Sequence, residues 1–141
     1  MLEQLEKYKS NGHFIFSPSD ELSKVCNAPK NGIGVYTVYA RKNEKNELVY
    51  IGSSGKVKTE GKPIIRKGGI FDRLVNGIQF AYPRKKSWKQ KLIDGNIDAL
   101  DIYWYETFDN EHSDIPSSVE GNIIQTFFNN HKRLPSWNKE F

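Results

Sequence analysis

The sequence contains little cysteine and no long apolar run. Cys26 is the one thiol in 141 residues, which excludes an internal disulfide and a zinc site built on several cysteines. No apolar stretch approaches the roughly 20 residues that a membrane-spanning helix needs. Residues 1–7 are charged and lack the apolar centre of a secretory signal. We therefore expect a soluble protein of the cytoplasm that does not contact a membrane.

Charge is unevenly distributed along the chain. The net charge is +4, yet the segment from Lys56 to Lys91 has eleven basic residues against two acidic ones, a net charge of +9. The remainder of the chain therefore carries −5. A basic segment in an otherwise acidic protein predicts a surface for a polyanion such as nucleic acid. A solvated, lysine-rich loop would have the same composition, so charge alone leaves both interpretations open.

The pattern of apolar residues predicts one α+β domain. We expect residues 1–31 to form a helical lead-in and residues 32–141 to form the domain. In it a small central antiparallel or mixed sheet is flanked by helices. The predicted strands span 34–40, 48–53 and 100–106, and the predicted helices span 70–80, 87–94 and 118–130. This pattern does not specify the order of the strands.

The first two predicted strands form a hairpin. If its centre lies at Asn43, Tyr36 and Tyr50 stand opposite each other on one face of the ribbon. The segment 54–69 then contains five basic residues and predicts a long loop. One face of the helix that follows is apolar and consists of Ile70, Leu74 and Ile78.

Two tripeptides in this hairpin resemble the signature that names the GIY-YIG nuclease family. They are Gly-Val-Tyr at residues 34–36, with valine in place of isoleucine, and Tyr-Ile-Gly at residues 50–52. The order of later residues is also similar to the family: Arg73 in the next helix, Glu120 at the start of a later helix, and Leu-Pro-Ser-Trp-Asn at residues 134–138. The resemblance covers nearly the whole chain.

The resemblance implies a metal-dependent endonuclease that hydrolyses DNA phosphodiester bonds with Mg²⁺ or Mn²⁺. Such hydrolysis needs an oriented and deprotonated water, and it needs stabilisation of the charge on the phosphate and on the leaving oxygen. By resemblance Tyr36 activates the water and Tyr50 positions phosphate or water. A tyrosine has an ordinary pKa near ~10, so it is a poor base unless nearby cations lower that value.

The same resemblance assigns the remaining site residues. Arg73 would clamp the transition state, because a guanidinium is always charged and forks onto phosphate oxygens. Glu120 would hold the divalent metal. Asn138 would complete the site by holding it in shape.

Each of these residues also has an ordinary structural interpretation. The tyrosines would fill a half-buried hairpin, and Arg73 would pair on the surface with Asp72 or Asp94. Glu120 closes a capping-box pattern that begins at Ser117. Asn138 would be a simple turn or cap residue. One departure from the family is Gly77, which stands one helical turn after the arginine, where many members have histidine or tyrosine.

The basic residues supply candidate phosphate contacts, which give affinity without sequence information. In some restriction enzymes of the family a lysine in the loop before the arginine assists, and four loop lysines are candidates here. The predicted nucleic-acid contacts are Lys56, Lys58, Lys62, Lys67, Arg84, Lys85, Lys86 and Lys89.

Three functions compete on this evidence. The first is an active DNA endonuclease, although the sequence does not separate DNA from RNA. The second is a degenerate GIY-YIG module that binds nucleic acid without cleaving it, which the missing side chain at Gly77 favours. The third is a protein-interaction domain, and the +9 segment argues against it. Restriction-type members often act as dimers, so a homodimer would let one site per chain cut both strands.

Overall fold

The protein is an α+β fold with a central sheet of four antiparallel strands that is flanked by helices. The strands lie in the order β1 (Asn11–Phe16), β8 (Ala99–Glu106), β2 (Gly34–Lys42) and β3 (Lys45–Ser54). The computed structural model describes residues 2–141, so Met1, the first residue of the predicted lead-in, lies outside the described residues. The predicted fold class is confirmed, and the sheet is antiparallel rather than mixed. The elements in chain order are a 3₁₀ turn (Glu3–Leu5), β1 (Asn11–Phe16), α1 (Leu22–Val25), β2 (Gly34–Lys42), β3 (Lys45–Ser54), β4 (Lys56–Val57), β5 (Pro63–Ile64), α2 (Gly69–Asn76), β6 (Ile78–Gln79), β7 (Tyr82–Pro83), α3 (Arg84–Asp94), β8 (Ala99–Glu106) and α4 (Pro116–His131).

The β2–β3 hairpin has a different register from the predicted one. Its turn consists of residues 43–44, which both have positive φ (52° and 65°), as a type I′ turn requires. The ladder pairs Tyr36 with Gly52 and Val38 with Tyr50, and an irregularity follows between Val38 and Tyr39. The predicted Tyr36–Tyr50 pairing is therefore wrong by two residues. Because side chains alternate with period two, both tyrosines still lie on one face.

The lead-in is not wholly helical. Residues 11–16 form β1, an edge strand that pairs along its length with β8. Phe14 and Phe16 are buried, whereas His13 and Ile15, which precede them in turn, are exposed. This is the alternation of a strand with one covered face. The prediction of helix was wrong at this segment and correct for the short helix α1.

Helices cover both faces of β2, which is buried along most of its length. On one face α2 and α3 pack through an apolar cluster that includes Phe16, Tyr36, Ile70, Leu74 and Trp88. On the other face α4 packs through a second cluster that includes Val35, Ile51, Ile123 and Phe127. Groups on α2 and α4 therefore approach the β2–β3 hairpin from opposite sides.

The chain between β3 and α3 is more structured than predicted. The predicted loop contains a small hairpin, β4–β5. Helix α2 ends at Asn76 because the backbone of Gly77 turns to an extended conformation (ψ 141°). The prediction that Ile78 continues the buried helical face is wrong, because Ile78 lies in the β6–β7 hairpin and is 66% exposed. No helix within residues 2–141 combines the length and apolarity needed to cross a membrane.

Candidate active site

Tyr36 and Tyr50 are neighbours in the candidate site. Their ring centroids are 6.2 Å apart on the face of the sheet that α2 and α3 cover. Tyr36 does fill the core, as the structural interpretation held, and it is 0% exposed. Its Oη nevertheless has no hydrogen-bond partner among the described residues. A buried hydroxyl left unpaired is costly, and the Tyr36 Oη therefore retains an unused capacity to form a hydrogen bond.

Arg73 extends from α2 without an acidic partner. Its Nε is buried and has no hydrogen-bond acceptor within residues 2–141. The two carboxylates that could have paired with it are engaged elsewhere: Asp72 accepts from Arg66 at 2.7 Å, and Asp94 accepts from Gln90 at 2.8 Å. The surface-pair interpretation of Arg73 is therefore wrong, and its charge is available to an anion.

Glu120 lies on the first turns of α4 and does not cap the helix. The helix begins with Pro116, and the residue before it, Ile115, provides no side-chain cap, so the capping-box interpretation is wrong. Instead the Glu120 Oε1 accepts a hydrogen bond from the Ser53 hydroxyl at the end of β3. Burial raises the pKa of Glu120, while the Ser53 hydrogen bond and the charge of Arg73 act in the opposite direction.

The hydroxyl of Tyr50 interacts electrostatically with the other groups of the candidate site. Burial raises its pKa most, and the neighbouring Tyr36 and Glu120 raise it further, while Arg84 and Arg73 lower it. Tyr50 on β3 thus lies within electrostatic reach of one side chain each from β2, α2, α3 and α4. Because the net effect is a raised pKa, Tyr50 stays protonated near neutral pH and serves as a hydrogen-bond donor rather than as a base.

Asn138 stabilises the site from the edge of the sheet. Its side-chain amide accepts from the Ile51 N–H at 3.0 Å and donates to the Ile51 carbonyl at 2.9 Å. The preceding Trp137 N–H donates to the Val49 carbonyl at 2.8 Å. These bonds satisfy the free edge of β3 as a neighbouring strand would. Asn138 also closes a turn with the Pro135 carbonyl, so the turn interpretation holds alongside the supporting role.

A cavity of about 670 Å³ opens beside Arg73. Its wall includes the end of β3, the β4–β5 hairpin and the start of α4, with three cationic side chains and three hydroxyls: Lys56, Arg66, Arg73, Ser53, Ser54 and Ser117. The buried Ser54 Oγ has no partner within residues 2–141. Cations and hydroxyl donors around one cavity suit an anion such as a phosphodiester. Of the loop lysines, Lys56 lines this cavity, whereas Lys58, Lys62 and Lys67 are exposed and do not.

The chain matches no model of a known protein family, no curated protein and no solved structure. The family suggested by the two tripeptides therefore depends on the residues and on the geometry described above.

The basic surface predicted on α3 is present in part. Lys85 and Lys86 are exposed and Lys89 is half-buried. Arg84 does not belong to this surface, because it is 1% exposed and its guanidinium points into the core. The prediction of Arg84 as a surface phosphate contact is wrong, since no phosphate reaches it there.

Three residues near the site were not anticipated. Ser53 holds the Glu120 carboxylate, Arg66 lines the cavity, and Gln79 bonds the buried arginine. No sequence signal distinguished them, because each acts through a contact with a distant or differently folded segment.

The donor set at Glu120 suits a hard cation. Within residues 2–141 no group of three or more histidine, cysteine, aspartate or glutamate side chains could hold a metal. Magnesium, however, commonly uses one or two carboxylates and completes its shell with water and substrate phosphate. Glu120, Tyr36 and Tyr50 do not line the cavity. The half-buried Glu120 carboxylate is linked to it through the hydrogen bond from Ser53, which does, and a single carboxylate of this kind is compatible with that pattern.

Proposed function

We propose that this protein is a metal-dependent endonuclease of the GIY-YIG type that hydrolyses DNA phosphodiester bonds. The main support is the cluster around Tyr50, in which the Tyr36 hydroxyl and the Arg73 Nε are both buried without partners within residues 2–141. Unpaired donors and acceptors beside a cationic cavity are costly in a resting protein, and a bound phosphate with its attacking water would satisfy them.

The scissile phosphate would occupy the cavity beside Arg73. There the guanidinium would fork onto two non-bridging oxygens, and Lys56 and Arg66, which line the same cavity, would add positive charge. Because negative charge on these oxygens grows as the new bond forms, Arg73 binds the transition state more strongly than the ground state. Its lack of an acidic partner means that no ion pair has to be broken first.

The two tyrosines would orient the nucleophile. The Tyr36 hydroxyl is free to accept a hydrogen bond from the attacking water and to hold its oxygen toward phosphorus. Tyr50, protonated near neutral pH, donates to a phosphate oxygen or to the same water. The water oxygen then forms the new bond to phosphorus and releases one of its protons to solvent. The bond to the leaving oxygen breaks, and that oxygen takes up a proton from solvent, so that one water is divided between the two products.

Glu120 would hold the divalent cation, Mg²⁺ or Mn²⁺, which when bound supplies Lewis-acid stabilisation of the phosphate and of the leaving oxygen. Ser53 fixes the orientation of the carboxylate by donating to it. Since burial raises the pKa of Glu120, protons compete with the cation more strongly than at an exposed glutamate.

A binding module that does not cleave is the second candidate. The observation in its favour is that the three histidines contact residues outside the Tyr50 cluster: His13 stacks on Tyr103, His112 meets Tyr8 and His131 meets Phe127. The cluster described here therefore has no group that ordinarily titrates near neutral pH.

Cleavage assays separate the two candidates. Wild type and Glu120→Gln would be incubated with plasmid, single-stranded DNA and RNA in Mg²⁺, Mn²⁺ or chelator. Glu111→Gln, which removes an exposed carboxylate in the loop before α4, is the matched control. We expect metal-dependent cleavage by wild type and by the control, and none by Glu120→Gln. Salt-sensitive binding without cleavage of any substrate would establish the binding module instead.

A further inference from the structure

Arg84, the first residue of α3, places a positive charge inside the protein without a counter-ion. It is 1% exposed, and no acidic side chain within residues 2–141 forms an ion pair with it. Burying an unpaired charge is expensive, so hydrogen bonds and ring contacts must compensate for it. The nature of those contacts indicates the role of the residue.

The hydrogen bonds of the guanidinium connect it to the active site. Nη1 donates to the Arg73 carbonyl at 2.7 Å, Nε donates to the Gln79 Oε1 at 2.9 Å, and Nη2 approaches the Tyr50 Oη at 3.4 Å. The Arg73 carbonyl belongs to the last turn of α2, where a cation also interacts favourably with the helix dipole. One side chain therefore links the turn that carries Arg73 to the hydroxyl of Tyr50.

Aromatic rings enclose the same guanidinium. Its Cζ lies 5.3 Å from the Tyr36 ring centroid, 5.4 Å from that of Tyr50 and 5.3 Å from that of Trp88. At such distances ring faces attract a cation, and the attraction is stronger when the cation is removed from water. The contacts also fix the two tyrosine rings relative to one another.

Gly77 provides the space for this arrangement. A Cβ at residue 77 would lie 2.8 Å from the Arg84 Nη1 and closer still to the Arg73 carbonyl oxygen. Any larger residue at this position would displace the guanidinium from the end of α2. The absence of a side chain at residue 77 and the presence of the buried arginine are thus parts of one arrangement.

Gln79 keeps the charge of Arg84 uncompensated. Its Oε1 accepts from both the Arg84 Nε and the Trp88 Nε1, each at 2.9 Å, while its own Nε2 is buried without a partner within residues 2–141. The β6–β7 hairpin that presents it turns through Phe80 and Ala81, non-glycine residues at φ 55° and 73°. A glutamate at residue 79 would accept the same two bonds and would neutralise the arginine.

We propose that Arg84 is a positioning residue of the active site: it holds Arg73 and the tyrosine pair in place and directs an uncompensated positive charge at the Tyr50 hydroxyl. This assignment rests on the proposed nuclease function. Arg84 does not touch substrate and acts through Tyr50 and the α2 terminus. The other groups that face the Tyr50 hydroxyl are Tyr36 from β2, Arg73 from α2 and Glu120 from α4.

Gln79→Glu tests the assignment without removing the packing of Arg84. The new carboxylate keeps both accepted bonds, eliminates the unpaired Nε2 and cancels the charge. We expect an unchanged or higher Tm but a kcat lowered by roughly tenfold or more, with KM within about threefold, because the substrate loses no direct contact. Arg84→Met should lower kcat at least as far. Arg84→Lys should recover part of it, since lysine retains the charge but not the fork.

A second readout needs no nucleic acid. Tyr50 ionisation would be followed by tyrosine ¹³Cζ NMR, with the signal assigned by Tyr50→Phe. We expect Gln79→Glu and Arg84→Met to raise the titration midpoint by roughly one pH unit, the lower end of the effect of a nearby charge. An unchanged midpoint in a folded Gln79→Glu protein would overturn the assignment. A raised midpoint in a protein that cleaves no nucleic acid would support the coupling of Arg84 to the Tyr50 hydroxyl, would refute the nuclease function and would overturn the positioning role in catalysis.

Discussion

Gly52 lies directly opposite Tyr36 in the β2–β3 ladder, and a Cβ at residue 52 would come within 2.6 Å of the Tyr36 Oη. The phenol of Tyr36 thus lies across the backbone of Gly52 and uses the space that a side chain would fill. This contact explains on steric grounds why the Tyr-Ile-Gly tripeptide ends in glycine. Without a side chain at residue 52, the Tyr36 hydroxyl can be fully buried at the candidate site.

Substitution of Gly52 by alanine should disturb Tyr36. We expect a loss of about 1–3 kcal/mol in the free energy of unfolding, as is usual when a packed core receives an extra methyl group. Cleavage should fall with it because the hydroxyl moves. Gly121→Ala is the control, since its Cβ meets only the Phe141 ring at 3.4 Å and the helix should gain roughly 0.5–1 kcal/mol. Equal denaturation midpoints for Gly52→Ala and wild type would contradict the steric role.

Glu120→Gln should abolish cleavage and should increase the stability of the folded protein. A carboxyl with a pKa raised in the folded state binds its proton more tightly there than in the unfolded chain. The resulting stabilisation is complete below the unfolded pKa and is lost as pH rises through the folded pKa. At neutral pH, without metal, the neutral glutamine should therefore raise Tm, where about 1 kcal/mol corresponds to roughly 2–4 °C.

The pH dependence identifies the cause of that change. Thermal melts in chelator would compare wild type and Glu120→Gln from pH 3 to pH 8. The difference in Tm between Glu120→Gln and wild type should be greatest near neutral pH. It should vanish at acid pH, where Glu120 is itself neutral. A difference that is constant across this range would show that packing, and not the charge of Glu120, accounts for it.

Removal of the Arg73 guanidinium should slow cleavage with little loss of stability. Arg73→Ala loses a transition-state donor, which typically costs ~10²–10³ in kcat. The backbone carbonyl that accepts from Arg84 is retained. Arg66→Ala is the comparison, because Arg66 lines the same cavity but is paired with Asp72. We expect a smaller effect there, mainly on KM, and equal losses for the two variants would remove the special role of Arg73.

Loss of the Asn138 amide should loosen β3. Asn138→Ala leaves the N–H and the carbonyl of Ile51 without their partners, at a cost of about 1–3 kcal/mol. Amide hydrogen exchange at Ile51 should become faster, and cleavage should decline because Tyr50 and Gly52 flank that residue. Asn138→Asp keeps the acceptor alone, so intermediate protection is expected. Unchanged exchange at Ile51 in Asn138→Ala would rule out the supporting role.

Binding of DNA should weaken steeply with salt. If Lys85 and Lys86 each neutralise one duplex phosphate, the double glutamine variant should reduce the slope of log K against log salt by about 1.8, or roughly 0.9 per contact. Lys24, an exposed lysine paired with Glu21 on α1, provides the control substitution. A wild-type affinity that does not change with salt would indicate a protein partner and would contradict nucleic-acid binding.

Local patterns predicted the elements that depend on local contacts. The β2–β3 hairpin, α3, α4 and β8 follow from residue alternation, helical periodicity and the polar segment between the first two strands. The exact register did not follow for two reasons. The turn is centred between Asn43 and Glu44 rather than at Asn43, which shifts the pairing by one residue, and the irregularity between Val38 and Tyr39 shifts it by one more. β1 was missed although Phe14 and Phe16 alternate with exposed residues, since its pairing partner β8 is far along the chain.

Helical periodicity was misleading at the end of α2. Ile78 stands at the spacing of Ile70 and Leu74, yet the backbone leaves the helix at Gly77 and Ile78 becomes exposed. The helix ends at a glycine, and the space beside that glycine is occupied by Arg84, which belongs to the following helix. Apolar periodicity along one segment does not show which side chains of other segments pack against its end.

The sequence by itself determined which chemical groups exist and which neighbours share a face, as with Tyr36 and Tyr50, because the two-residue period of a strand is a local property. Only the tertiary structure decided which groups meet. The bonds of Arg84 to Tyr50, of Ser53 to Glu120 and of Asn138 to Ile51 join residues 34, 67 and 87 positions apart. A polar side chain is exposed to solvent unless distant segments supply hydrogen-bond partners for it. The burial of Arg84 and the bonds of Asn138 to β3 therefore depend on the tertiary structure.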